Sequence, residues 1–137
     1  MMTNIAPLSI FGCELMYGKK GFTRKILKML GKPDDESFGY RSYTISAETL
    51  IAIAEKLPKA NLDDRQNGSP TLSDFVEFAK KSPDSKFKIH VITEVRPDER
   101  VTVEGVYFPK GDKHVSELRS KALREPDSES PQHMWWD

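Results

Sequence analysis

The chain reads as an α+β domain: about four strands in a mixed or antiparallel sheet, with three to four helices packed mainly on one face. Three observations carry this. Residues 87–95 (FKIHVITEV) and 100–108 (RVTVEGVYF) alternate apolar and polar around a short RPDE connection, the pattern of a β-hairpin. Separate segments elsewhere repeat apolar residues at helical spacing. The resulting order, β-α-β-α-α-β-β-α, lacks the regular alternation of a doubly wound parallel sheet.

Taken in order, residues 8–18 (LSIFGCELMYG) are apolar at both parities, as in a strand buried on both faces. Gly12 inside them predicts a bulge or a close backbone approach. Phe22, Ile26, Met29 and Leu30 share one face of a helix over 22–30, which Gly31 and Pro33 stop. Residues 38–45 (FGYRSYTI) are aromatic and β-branched, a second strand with Phe38 assigned to the core.

Ser46 caps the next helix, Glu48 complements its dipole, and Leu50, Ile53, Ala54 and Leu57 form its buried stripe up to Pro58. Residues 61–70 (NLDDRQNGSP) hold nearly every turn-forming residue type and predict an exposed loop. Thr71 and Asp74 have capping-box spacing, and Leu72, Phe75, Val76 and Ala79 line the third helix.

In the hairpin, parity favours a register that opposes Ile89 to Tyr107, Val91 to Gly105, Thr93 to Val103 and Val95 to Val101. The other face then carries Lys88, His90, Ile92, Glu94, Thr102, Glu104, Val106 and Phe108. Ile92, Val106 and Phe108 are out of place on a solvated face, which implies a covering helix or partner. A last helix over 113–123 turns Val115, Leu118 and Ala122 inward.

The 137 residues fit one domain, assigned to 1–124, followed by an acidic tail at 125–137. That tail has four acids, Glu125, Asp127, Glu129 and Asp137, and no Lys or Arg. Its composition favours disorder, but Met134, Trp135 and Trp136 are costly to leave in water. The expectation is an aromatic anchor docked on this chain or a partner, with the acids near basic residues such as those of the first helix.

The 21 basic and 21 acidic residues cancel, so no global field steers the protein to nucleic acid or an anionic membrane. The lone cysteine, Cys13, excludes an internal disulfide and a Cys-only zinc site, and its strand context makes it a small core residue. No apolar run approaches the ~20 residues of a membrane span and the start lacks signal-peptide character, so a cytoplasmic setting without membrane contact is expected.

Phosphate-loop, dinucleotide and nucleophile-elbow patterns are missing, and His90, His114 and His133 lack the close partners of metal sites. No cofactor or metal is therefore expected, and no catalysis. The alternative is a small enzyme in which His90, Glu94 and Glu104, on one hairpin face, do acid–base work. A weaker small-ligand arrangement joins Tyr40 or Tyr43 with Arg41 as anion anchor, but Tyr40 and Arg41 point to opposite faces.

Charge is segregated. Residues 1–32 carry Lys19, Lys20, Arg24, Lys25, Lys28 and Lys32 against Glu14 alone. The leading expectation is thus a small non-catalytic binding protein whose partner is another protein, a second copy included. Lys19, Lys20, Arg24, Lys25, Lys28, Trp135 and Trp136 are its candidate contacts. The alternative target is nucleic acid or a nucleotide, with the basic helix holding phosphates and Tyr17 or Phe22 stacking bases.

Overall fold

The computed structural model describes residues 20–137. The strand expected at 8–18, with Cys13, and the candidate contact Lys19 lie outside them. The described residues form α1 (Thr23–Leu30), β1 (Asp35–Ser37), β2 (Tyr40–Ser46), α2 (Ala47–Ala54), a 3-10 turn (Lys59–Asp63) and α3 (Leu72–Lys81). They continue with β3 (Lys86–Ile92), β4 (Arg100–Tyr107), α4 (Val115–Ser120), β5 (Ser128–Ser130) and β6 (His133–Trp135).

The class is α+β, but among the described residues the sheet has six strands rather than about four, in the order β1-β2-β3-β4-β6-β5. Every pairing is antiparallel. Two short hairpins account for the difference. The strand expected over 38–45 is preceded by β1, and the two are joined through Phe38 and Gly39, where Gly39 takes φ +74°. Phe38 therefore sits at a turn tip, 83% exposed, and not in the core. The second hairpin, β5–β6, is built from the tail.

Helices α2 and α3 start as their sequences require. Ser46 Oγ accepts from Thr49 N at 3.1 Å, and Thr71 and Asp74 exchange both capping-box bonds at 2.9 and 3.1 Å. The two helices pack on each other and on the sheet. Leu50 and Ile53 from α2 and Phe75 from α3 meet Phe87, Ile89, Val91, Val101 and Val103 in one core. On α1, Ile26 is buried, but Met29, expected on the apolar face, is 41% exposed.

The β3–β4 register differs from the parity expectation by four positions: Ile89 faces Val103 and Val91 faces Val101. An even slip keeps each side chain on its face, so Ile89, Val91, Val101 and Val103 are all core as expected. The connection is longer than foreseen, spanning 93–99, and Val95 lies in it, 55% exposed, rather than in the strand. A bulge then intervenes: Lys88 pairs with Gly105 and Ile89 with Val103, so Glu104 is the extra residue. Beyond it the parity of β4 reverses. Val106 and Phe108 turn into the core and Tyr107 turns out, which removes the anomaly at those two positions; Ile92 keeps the parity of His90 and is buried there.

Opposite β3, the first half of β4 pairs with no strand among the described residues. Asn61 takes that place, with Nδ2 donating to Val101 O at 2.8 Å and Oδ1 accepting from Val101 N at 3.0 Å. The 61–70 loop is thus not simply exposed: Asn61, Ser69 and Pro70 are buried. The second half of β4 pairs with β6, and Trp136 N donates to Glu104 O at 2.8 Å.

The tail docks in cis. Trp136 is fully buried edge-on to Phe75, ring centroids 6.2 Å apart, and its Nε1 donates to Arg124 O at 3.0 Å. Its acids do not approach the first helix. Glu125 and Glu129 pair with Arg119, and Asp127 pairs with Arg124 at 2.8 Å, which holds the Asp127 carboxyl down at about 2. The edge strands β1 and β5 are three residues each and fully exposed, with Asp35, Glu36 and Glu129 discouraging strand addition. Among the described residues, no helix is long and apolar enough to cross a membrane.

Candidate interaction surface

Helix α1 has Phe22 at its N-cap and so no side chain of its own to satisfy its first amides. Glu99, 5% exposed, does this from the 93–99 connection. Its carboxylate accepts from Gly21 N at 2.8 Å, Thr23 N at 3.0 Å and Thr23 Oγ at 2.6 Å. Three donors and the positive end of the helix dipole compensate a charge that burial alone would not tolerate. The next residue, Arg24, makes a two-pronged ion pair with Glu94 of the same connection, with Nη2 to Oε1 at 2.6 Å. That pairing draws the Glu94 carboxyl below its ordinary range.

The same connection meets the β1–β2 turn. Thr93 N donates to Gly39 O at 3.0 Å, and a Cβ added at Gly39 would lie 2.6 Å from Arg96 Cγ and 3.0 Å from Val95 Cγ2. Gly39 is required here twice, by its φ and by this close approach. The two hairpin ends and α1 therefore form one continuous end of the molecule. Phe38 and Val95 are exposed there, and so are Lys25, Lys28 and Lys32 of the α1 segment and Asp34, Asp35 and Glu36 beside the β1–β2 turn.

Four of the sequence-derived contacts, Lys20, Arg24, Lys25 and Lys28, come together here and line a shallow groove with Gly21 and Phe22. Trp135 and Trp136 belong to the C-terminal hairpin instead. Trp136 is spent on this chain's own core, whereas Trp135 is half-buried on the outer face of the sheet. Phe38 and Val95 were not singled out as contacts. The available signal was Phe38-Gly39 directly after an acidic run, which reads as a turn as readily as a strand start.

The alternative polar site assembles only in part. His90 Nε2 lies 2.6 Å from Glu104 Oε1, with side chains 15% and 10% exposed. Glu94 is away at Arg24. Burial and the neighbouring Asp137 carboxylate push Glu104 up to about 7, while burial and Lys88 push His90 down. Tyr40 packs edge-on to His90 at 5.2 Å. The pair can share a proton, but so little of it is exposed that a substrate has no evident approach. Of the small-ligand arrangement, Tyr43 is core, Tyr40 packs on His90, and Arg41 lies 3.3 Å from Glu36. No group of three or more His, Cys, Asp or Glu among the described residues is placed to hold a metal ion.

Compared with protein-family models, curated proteins and solved structures, the chain matches none.

Proposed function

We propose that this chain is a non-catalytic binding protein whose partner is another protein, in the manner of small inhibitor, immunity or mobile-element accessory proteins. The observation that carries this is the pair Phe38 and Val95, 83% and 55% exposed, standing together beside a basic helix. Apolar side chains presented on a rigid end and ringed by charge are the composition of an interface centre and rim. The helix cations favour an acidic partner element carrying an apolar knob. Nucleic acid on α1 is the weaker reading, because Arg24 is committed to Glu94 and the run Asp34, Asp35, Glu36 would repel phosphates.

The test is affinity capture from nuclease-treated lysate of the native host. It compares wild type with Phe38→Ser, with Lys25→Glu/Lys28→Glu and with a control, Tyr107→Ala, on the outer sheet face. A protein retained by wild type and the control but lost with both end variants supports the reading. Capture indifferent to the end variants, or abolished by nuclease, overturns it.

A further inference from the structure

The partner chemistry that the α1 cations favour, an acidic element carrying an apolar side chain, is present in this chain itself. Asp34, Asp35 and Glu36 lead directly into the β1–β2 turn, where Phe38 stands exposed. The 93–99 connection touches α1 through Glu94 and Glu99. It touches the β1–β2 turn through Thr93, Val95 and Arg96. The cations thus stand on α1 and its exit, the acids on β1 and its approach, and the apolar pair Phe38 and Val95 on the turn and the connection.

Charge separates the partners that such an end can take. Against Lys25, Lys28 and Lys32 stand Asp34, Asp35 and Glu36, three of each sign. A surface of one sign selects a partner of the other. A two-fold contact instead sets a patch against itself, where a single sign would repel. Two signs on different elements escape this, because each element can meet the opposite one on the second protomer. These charges are also available. Among the described residues Lys25, Lys28, Lys32 and Asp35 make no ion pair, and Glu36 has only Arg41, at 3.3 Å on the surface. Asp34 is bonded to Thr44 and Lys88 and is left out of the pairing. Arg24, Arg96 and Glu99 are spent within the chain, on Glu94, Asp98 and the α1 amides.

We propose that the partner of this end is a second copy of the chain, an inference that rests on reading the end as a protein-binding surface. In the two-fold dimer Phe38 and Val95 of both protomers pack at the centre, and Lys25 and Lys28 of each face Asp35 and Glu36 of the other. Burial of the apolar pair drives association, and the ion pairs, each used twice, set its register.

The experiment is sedimentation velocity of the full chain, from micromolar to near-millimolar concentration, at low and high salt. Expected is a reversible monomer–dimer equilibrium that weakens as salt rises. Phe38→Ser should weaken it by about tenfold or more. So should Lys25→Glu/Lys28→Glu and Asp35→Lys/Glu36→Lys, each of which sets like charges against one another. An equimolar mixture of these two charge variants should dimerise again, since opposite signs then meet at both elements. The mixture should lose this when both members also carry Phe38→Ser. Tyr107→Ala, on the outer sheet face, should change nothing, and circular dichroism checks that each variant is folded. A chain that stays monomeric throughout overturns the proposal, as does a dimer indifferent to the end variants or a mixture that fails to restore it. A monomer that still retains a different host protein through Phe38 overturns the second copy alone. A dimer formed elsewhere, with capture of host protein indifferent to Phe38, overturns the reading of the end as well.

Discussion

Glu104 and His90 hold each other at 2.6 Å, Oε1 to Nε2, and burial disfavours the charged form of both. The contact is therefore not a conventional ion pair. In the neutral pair the Glu104 carboxyl donates its proton to Nε2, and Asp137 close by adds to the cost of ionising Glu104. The bulge that makes Glu104 the unpaired residue of β4 also brings it to His90.

This pair has a pH signature. Glu104 is raised from 4.5 to about 7, so between those values the folded chain holds a proton that the unfolded chain has lost. Its contribution to stability therefore falls as pH rises through that window. His90 is lowered and acts oppositely, adding stability as pH rises toward its ordinary value. Glu104→Gln removes only the first effect. Relative to wild type, the variant should gain on the order of 3 kcal/mol between about pH 4 and about pH 8. Urea denaturation at both values measures this, and a pH-independent difference between the two proteins would refute it.

Asn61 bonds Val101 as a strand neighbour would, satisfying one buried N–H and one buried C=O with a single amide. Asn61→Ala leaves both unpaired and should cost about 2–4 kcal/mol. Asn61→Asp keeps the acceptor but loses the donor to Val101 O, so it should destabilise as well. Chemical denaturation decides, and a cost of only a few tenths of a kcal/mol for both variants would mean that water replaces the amide.

Glu99 caps α1 from another element, so its loss should free the helix without unfolding the sheet. Glu99→Ala should abolish hydrogen-exchange protection at the Gly21 and Thr23 amides while that of Ile89 and Val101 persists. Protection at Thr23 unchanged from wild type would show that the carboxylate is dispensable to the cap.

How much of this was legible from the residues depended on range. Local chemistry was readable: the Ser46 cap and the Thr71–Asp74 box appear where the spacing put them, and Leu72, Phe75 and Ala79 of α3 are buried as expected, with Phe78 rather than Val76 completing the stripe. The faces of Ile89, Val91, Val101 and Val103 were readable too, because parity survives an even slip. The bulge at Glu104 was not, since an extra residue in one strand leaves no mark on local alternation, and so Val106 and Phe108 seemed misplaced. Phe38 was misjudged because hydrophobicity was given priority over the turn preference of the glycine after it. The fold brings His90 and Glu104 together, and Glu94 does not join them because the connection begins at residue 93. Asn61, Ser69 and Glu99 act over long sequence separations, where polarity alone reads as exposure.

Gly105 is the small residue that lets the C-terminal hairpin close on β4. A methyl group there meets Met134 O at 2.9 Å as well as the indole of Trp135, and a backbone oxygen cannot swing aside. Gly105→Ala should destabilise the chain by about 1–3 kcal/mol, the cost of overpacking, although alanine has the better intrinsic strand propensity. Thermal or urea denaturation checks it, and a neutral or stabilising result would mean that β6 shifts freely.

The two tryptophans are neighbours in sequence with opposite environments, and fluorescence can separate them. Trp136 is fully buried against Phe75, with its Nε1 bonded to Arg124 O, whereas Trp135 is half-buried on the outer face. In Trp135→Phe the remaining indole should emit at blue-shifted wavelengths and resist quenching by acrylamide. In Trp136→Phe the remaining indole should emit further to the red and be quenched readily. Stability should divide the same way. Trp136→Ala removes a core aromatic and should cost about 3–5 kcal/mol, more than Trp135→Ala at its partly solvated position. Because Trp136 N also bonds Glu104 O, losing this anchor should release β6 and β5 together, seen as loss of amide protection across 128–135 ahead of global unfolding. If Trp135→Phe instead shows water-like emission that quenches freely, the tail is undocked in solution, and the six-stranded sheet does not persist there.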